Sequence, residues 1–201
     1  MKKFGLLGCL GGLVLVGIIV FISAMSMYNS LVTLQQDVTA KWAQVENVYQ
    51  RRADLVPNLV NTVRGYAAHE REVLEAVTES RSKVGSIRVT QEMLNNPAEL
   101  ARFQQAQDGL SSALSRLLLV VERYPDLKAN QNFLELQSQL EGTENRIAVE
   151  RRRFNESARD YNTRIKQFPA NMIAGIFNFT EKAYFQAAPG SEKAPVVDFT
   201  R

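Results

Sequence analysis

The chain has 201 residues, 45% of them hydrophobic and 22% charged, enough for one domain with a real core and too few for two full ones. One cysteine and one histidine exclude a disulfide framework, a cysteine-based zinc site and any multi-histidine metal centre. The 24 Lys+Arg nearly balance the 21 Asp+Glu. The densest basic run, Arg151-Arg152-Arg153, lies between Glu150 and Glu156, where an ion-paired helix face is expected rather than a nucleic-acid footprint.

Lys2 and Lys3 precede residues 4–27, which carry no charge. That run exceeds the roughly 20 apolar residues needed to cross a bilayer. A cleaved signal peptide is the rival reading, with 24–26 (Ala-Met-Ser) as a cleavage site, but its apolar region should span only about 7–15 residues. A retained transmembrane helix is therefore expected. Leu6-Leu7-Gly8-Cys9 has the form of a lipobox, yet the apolar run continues well past Cys9, which suits a membrane-embedded thiol. Lys2 and Lys3 outnumber Lys41 near the two ends of the span, which favours a cytoplasmic N-terminus and an exported domain. Arg51 and Arg52 lie just beyond the counted window and oppose that bias.

The remainder reads as long helices, because apolar residues recur at steps of three and four. Leu31, Val38, Trp42, Val45 and Tyr49 share a face in a first helix continuous with the span. Asp54 then offers an N-cap and Pro57 fits a first turn, so a second helix is expected to start there, striped by Leu59, Val63, Tyr66, Val73, Val77, Val84 and Ile87. Asn96-Pro97-Ala98-Glu99 has the form of a helix start, with Asn96 as cap, Pro97 at the first position and Glu99 reaching back. Leu100, Phe103, Gln107, Leu110, Leu114, Leu117 and Val121 follow until Pro125. Asn130 is expected to open a fourth helix running to Phe168, in which Phe133, Leu140, Ile147, Phe154, Tyr161 and Phe168 fall every seven residues. Such a repeat favours a left-handed supercoil. The fold class is thus all-α: a stub (1–3), a transmembrane helix (4–27), an elongated antiparallel bundle of about four long helices and a short C-terminal helix (28–186), and a loose tail (187–201). The apolar cluster after Pro169 is read as a cap on one end of the bundle, with an exposed patch docking on membrane or partner as the alternative.

The sequence carries no complete catalytic motif. His69-Glu70-Arg71-Glu72-Val73 begins like a zinc-protease motif but has Val73 where the second histidine is required. There is no Gly-x-Ser-x-Gly elbow, Walker loop or dinucleotide fingerprint. No enzymatic activity, cofactor, small-molecule substrate or nucleic acid is expected. Glu70 projects toward the helix seam, and a buried carboxylate needs a partner. A turn near Asp54 would bring Lys41 to its level, so a Lys41–Glu70 register contact is expected, with escape of Glu70 to solvent as the alternative.

The run from Tyr49 through Arg51, Arg52, Asp54, Pro57, Asn58 and Asn61 to Val63, followed by Gly65-Tyr66-Ala67 and His69-Glu70, closely resembles the LemA family. So do Tyr28-Asn29, the 124–130 run (Tyr-Pro-Asp-Leu-Lys-Ala-Asn), the 140–147 run (Leu-Glu-Gly-Thr-Glu-Asn-Arg-Ile), Arg153-Phe154-Asn155, Tyr161-Asn162 and Phe168-Pro169. The resemblance implies an N-terminally anchored helical bundle of the bacterial envelope with no established enzymatic activity. Some relatives are encoded near a zinc membrane metalloprotease, which implies a link to membrane-protein quality control, and some have been assigned the opposite orientation. Within it, Arg51, Arg52, Asp54, Pro57, Asn58 and Asn61 are read as an architectural corner between two helices or, alternatively, as a membrane-distal tip that a partner reads. The expected role is an inner-membrane, single-pass scaffold with its domain on the periplasmic side. Its partner would be a second copy or another membrane protein, a membrane metalloprotease among the candidates. The alternative is a protease regulator or adaptor.

Overall fold

The computed structural model describes residues 2–67 and 69–187, with side chains from residue 11 onward. The Cys9 thiol and the tail from residue 188 lie outside the described residues. The elements are α1 (Lys2–Tyr66), α2 (Arg71–Ser86), a 3-10 turn (Glu92–Asn95), α3 (Pro97–Val121), α4 (Pro125–Lys128), α5 (Gln131–Lys166) and α6 (Ala170–Ile176), with no strand among the described residues. The all-α class and the bundle are as expected. α1 packs chiefly along α5 and α2 along α3.

α1 is one helix of 65 residues, and its N-terminal stretch is long and apolar enough to cross a membrane. Leu13 to Val16 and Ile18 to Ile22 all stand exposed, as lipid-facing side chains do. From Leu31 onward the same helix turns core-facing.

The expected break at Asp54 does not occur. α1 runs through Pro57 to Tyr66, and the chain reverses at 67–70 instead. Proline in a helix interior costs about 3 kcal/mol, but Leu59, Val60 and Val63 are each buried beyond it, at about 1.5–3 kcal/mol apiece. Burial wins. The carbonyl that Pro57 leaves without its helical donor is that of Ala53, four residues back, and Arg81 Nε on α2 donates to it at 2.9 Å. Arg81→Ala should therefore destabilise the domain by about 0.5–1.5 kcal/mol. The loss should shrink toward zero in a Pro57→Ala background, where residue 57 supplies the N–H itself; a double-mutant cycle by chemical denaturation measures this coupling.

Other boundaries follow their caps. Asn96 Oδ1 accepts from the N–H of Ala98 at 3.0 Å and of Glu99 at 3.4 Å, and Asn130 Oδ1 from that of Phe133 at 3.1 Å. The third helix ends at Val121, short of Pro125, which instead opens the single turn α4. The seven-residue stripe of α5 is buried at Phe133, Leu140, Ile147, Phe154 and Tyr161, whereas Phe168 is 79% exposed. The helix has ended at Lys166, and Gln167 is extended, so the repeat no longer fixes which way residue 168 points.

The C-terminal segment does more than cap an end. After α6 it runs extended along the bundle, held by amide side chains. Asn162 brackets the backbone N–H and C=O of Lys182, each at 2.8 Å. Asn155 does the same for Phe185 at 2.9 and 3.0 Å, and Gln104 for Gln186 at 3.0 and 2.9 Å. The Phe185 ring stacks on Trp42 with centroids 5.8 Å apart and meets Phe154 edge-on.

Candidate functional site

The apolar interior is two clusters. The membrane-proximal one ends at Tyr49, Phe103 and Ile147; the distal one begins at Val56, Leu110 and Leu140. Between them lies a polar layer built on Arg52, whose side chain is 1% exposed. Its Nη1 donates to Ser111 Oγ at 2.6 Å and pairs with Glu144 Oε1 at 2.7 Å, and its Nη2 donates to the Gln107 carbonyl at 3.2 Å and to Gln107 Oε1. One guanidinium thus ties α1 to α3 and α5. It also lies 5.1 Å from the centroid of the Tyr49 ring, a cation–π geometry. Arg52 Nε and Tyr49 Oη find no hydrogen-bond partner among the described residues. Burial pushes the Tyr49 hydroxyl above its ordinary pKa, against the pull of Arg151 and Arg52.

The expected corner residues therefore part company. Arg52 is core; Arg51 and Asp54 are exposed on the same helix, Asp54 accepting from Gln50 Nε2 at 2.8 Å. Pro57 sits within the helix. Asn58 and Asn61 line an open groove between α1 and α5, of about 470 Å³, opposite Asn132, Glu135 and Gln139. Gln139 Nε2 donates to Glu135 Oε1 at 3.1 Å, and Asn58 and Asn61 stand exposed to solvent, which suits recognition of another polypeptide.

The Lys41–Glu70 contact is not made. It required a turn at Asp54, and with α1 unbroken Lys41 lies some 29 residues below Glu70, about 40 Å along the helix. Lys41 instead approaches Asp37 at 3.7 Å. Glu70 is paired, as a semi-buried carboxylate must be, but at the distal tip: Arg123 Nη2 donates to its Oε1 at 2.9 Å and Tyr124 Oη at 3.0 Å. Asn130 Nδ2 donates to Tyr66 Oη at 2.9 Å. These bonds staple the α1–α2 turn to the α3–α5 connection. The hydrogen bond to Glu70 raises the pKa of Tyr124.

A second cleft, of about 620 Å³, opens between α1 and α2, with Glu46, Gln50, Arg81 and Ser82 on its walls. Burial raises the Glu46 pKa, partly offset by a hydrogen bond with Trp42. Near the membrane-proximal end Lys182 Nζ donates to Asn95 Oδ1 at 2.6 Å over the face of Tyr161. Burial lowers the lysine pKa and pushes the Tyr161 hydroxyl up to about 12. His69 is exposed at the tip turn, and no group of three or more His, Cys, Asp or Glu is placed to hold a metal ion among the described residues.

The Arg52 layer had a signal in the sequence. Positions 45, 49, 52, 56, 59 and 63 follow steps of three and four, so Arg52 interrupts an otherwise apolar stripe. Gln107 does the same between Phe103 and Leu110, and Thr143-Glu144 between Leu140 and Ile147.

Residues 41–199 match the model of the LemA family. The chain is similar to magnetosome protein MamQ 2 of Paramagnetospirillum magneticum, at 30% identity over 197 residues covering 90% of this chain and 72% of that protein. It is 29% identical over 197 residues to magnetosome protein MamQ of Magnetospirillum gryphiswaldense, with the same coverages of 90% and 72%. It is also similar to protein LemA of Metamycoplasma hominis, at 28% identity over 160 residues covering 80% of this chain and 69% of that protein.

Proposed function

This chain belongs to the LemA family, and from that premise we propose that it is a membrane-anchored, non-enzymatic scaffold that works by contact with other proteins or with further copies of itself. The observation that carries this reading is the continuity of α1, which leaves the anchor and reaches the distal tip as a single helix. From Met27 to Tyr66 it rises about 58 Å. A helix of that length, packed along α5 with α2 and α6 against it and tied by Arg52, holds side chains at fixed heights above a membrane. Asn58 and Asn61, on the upper part of this mast, face an amide-lined groove that the bundle itself does not fill. Confinement to a membrane plane raises the effective concentration of neighbours, so weak lateral contacts suffice. The Lys2–Lys3 pair favours a cytoplasmic N-terminus, which supports a bundle on the periplasmic side of the inner membrane.

The test is photo-crosslinking in native membranes, with a benzophenone amino acid at Asn58 or Gln139 of the full-length chain. Adducts at about twice the 22.6 kDa chain mass, or with one defined membrane protein, are expected from both positions. A membrane protease as that protein would assign the adaptor role. Absence of discrete adducts from either groove position, with the chain present at its normal level, would contradict the proposal.

A further inference from the structure

The bundle's base carries an apolar surface that stands exposed among the described residues. Phe168 is 79% exposed, Met172 59%, Ile176 69% and Phe177 55%. The opposite face of α6 is also apolar: Ala170 and Ala174 are buried against the bundle, and Ile173 packs on the core. Residues 167–180 contain no charged side chain. A helix apolar on both faces needs apolar surroundings on both sides. The first charges beyond this stretch, Lys166 and Glu181, pair with each other at 2.8 Å, so neither has to be carried along with the exposed face.

The level of this surface is set by α1. The Tyr28 ring meets Phe177 at 4.7 Å and Phe179 at 5.7 Å between centroids. Ala24, Met27 and Tyr28 are partly covered, whereas every residue from Gly11 to Ser23 is exposed. α6 therefore lies against the last turn of the apolar anchor, beside where the helix leaves the hydrocarbon. After Lys3 the first charged residue is Asp37, and those 33 uncharged positions rise about 50 Å, enough for a bilayer with both headgroup layers.

We infer that α6 is a second membrane contact: Phe168, Met172, Ile176 and Phe177 insert into the interfacial layer of the same bilayer that α1 crosses. The occupant is lipid rather than a protein, because the patch stands alongside the anchor's own exit and carries no charge for a partner to pair. Apolar faces of interfacial helices bury about 5–10 Å into the headgroup–acyl boundary. With α1 they give the domain two points of attachment, which fixes its tilt and rotation and thus which face of the mast it turns to neighbours.

The inference rests on the membrane-anchored reading, and its test separates the two. Full-length chain is reconstituted into phosphatidylcholine vesicles containing a quarter phosphatidylglycerol, with or without bromine on the upper acyl chain. Tryptophan emission is read for the wild type, which has only the core residue Trp42, and for Ile176→Trp and Ile19→Trp. The added emission of Ile176→Trp should fall about twofold or more in brominated lipid and be shielded from aqueous iodide, with Trp42 unchanged and Ile19→Trp strongly quenched. Quenching at position 19 without quenching at 176 would overturn the second contact alone. Shielding of 176 from both lipid bromine and iodide would give the patch to a protein, a second copy included, and also overturn it. No quenching at position 19 would remove the anchor reading as well.

Discussion

Glu144→Ala is expected to lower the stability of the folded domain by about 3–5 kcal/mol, the range for stripping a buried ion of its counter-charge. By its own exposure Glu144 would be ranked as a minor surface residue, since its side chain is 41% exposed, and exposed ion pairs contribute only about 0–1 kcal/mol. The asymmetry decides the size. Glu144 can turn to water, but Arg52 cannot: at 1% exposure its guanidinium would keep only the uncharged acceptors of Gln107 and Ser111. Arg52→Met should accordingly cost less, about 1–2 kcal/mol, because its thioether chain refills the arginine stem and the freed Glu144 hydrates. The double variant Arg52→Met/Glu144→Ala should be more stable than Glu144→Ala alone. Denaturant unfolding followed by Trp42 emission measures all three. Equal losses from the two single variants, with simple addition in the double, would mean that the layer is not a coupled unit.

The second large effect is expected at the C-terminal segment. Phe185→Ala removes a ring packed between Trp42 and Phe154 and covered by Arg151, whose guanidinium lies 4.6 Å from its centroid. Truncating a buried phenylalanine costs about 3–5 kcal/mol. Because Phe185 holds the middle of the extended segment, its loss should also release the amide brackets at Lys182 and Gln186. Hydrogen exchange at the backbone amides of Lys182, Phe185 and Gln186 should rise to that of an open segment, with α1 and α5 still protected. Uniform acceleration across the bundle would mean instead that the segment unfolds only with everything else.

Much of the molecule is legible before any coordinates. The anchor, the α3 and α5 caps at Asn96 and Asn130 and the core stripe of α5 follow from hydropathy and spacing, because each depends on neighbours a few residues away. What escapes such reasoning depends on partners far along the chain. Pro57 reads as a boundary because the rule against interior proline is local, whereas the burial that outweighs it and the Arg81 side chain that satisfies Ala53 come from a helix not yet in view. Arg52 reads as part of a corner or of a tip that a partner reads because arginine is rarely fully buried. Its acceptors lie 55, 59 and 92 residues away. The same distance problem hides the extended segment. Asn155 and Asn162 stand seven apart on one face of α5, but what they bracket follows α6. Lys41 and Glu70 illustrate the reverse error: a sound demand for a partner, attached to the wrong turn.

The unbroken mast is the claim on which the rest stands, and a distance between spin labels on it is the most direct test. In a Cys9→Ala chain in lipid, labels at Gln36→Cys and Arg64→Cys, both exposed on α1, are separated by 28 residues. Pulsed electron–electron resonance should return a narrow distribution near about 42 Å, the rise of a continuous helix. A distribution centred near 15–20 Å would mean that the chain folds back around Asp54, which would return the corner to the arginine motif and remove the rod from membrane to tip.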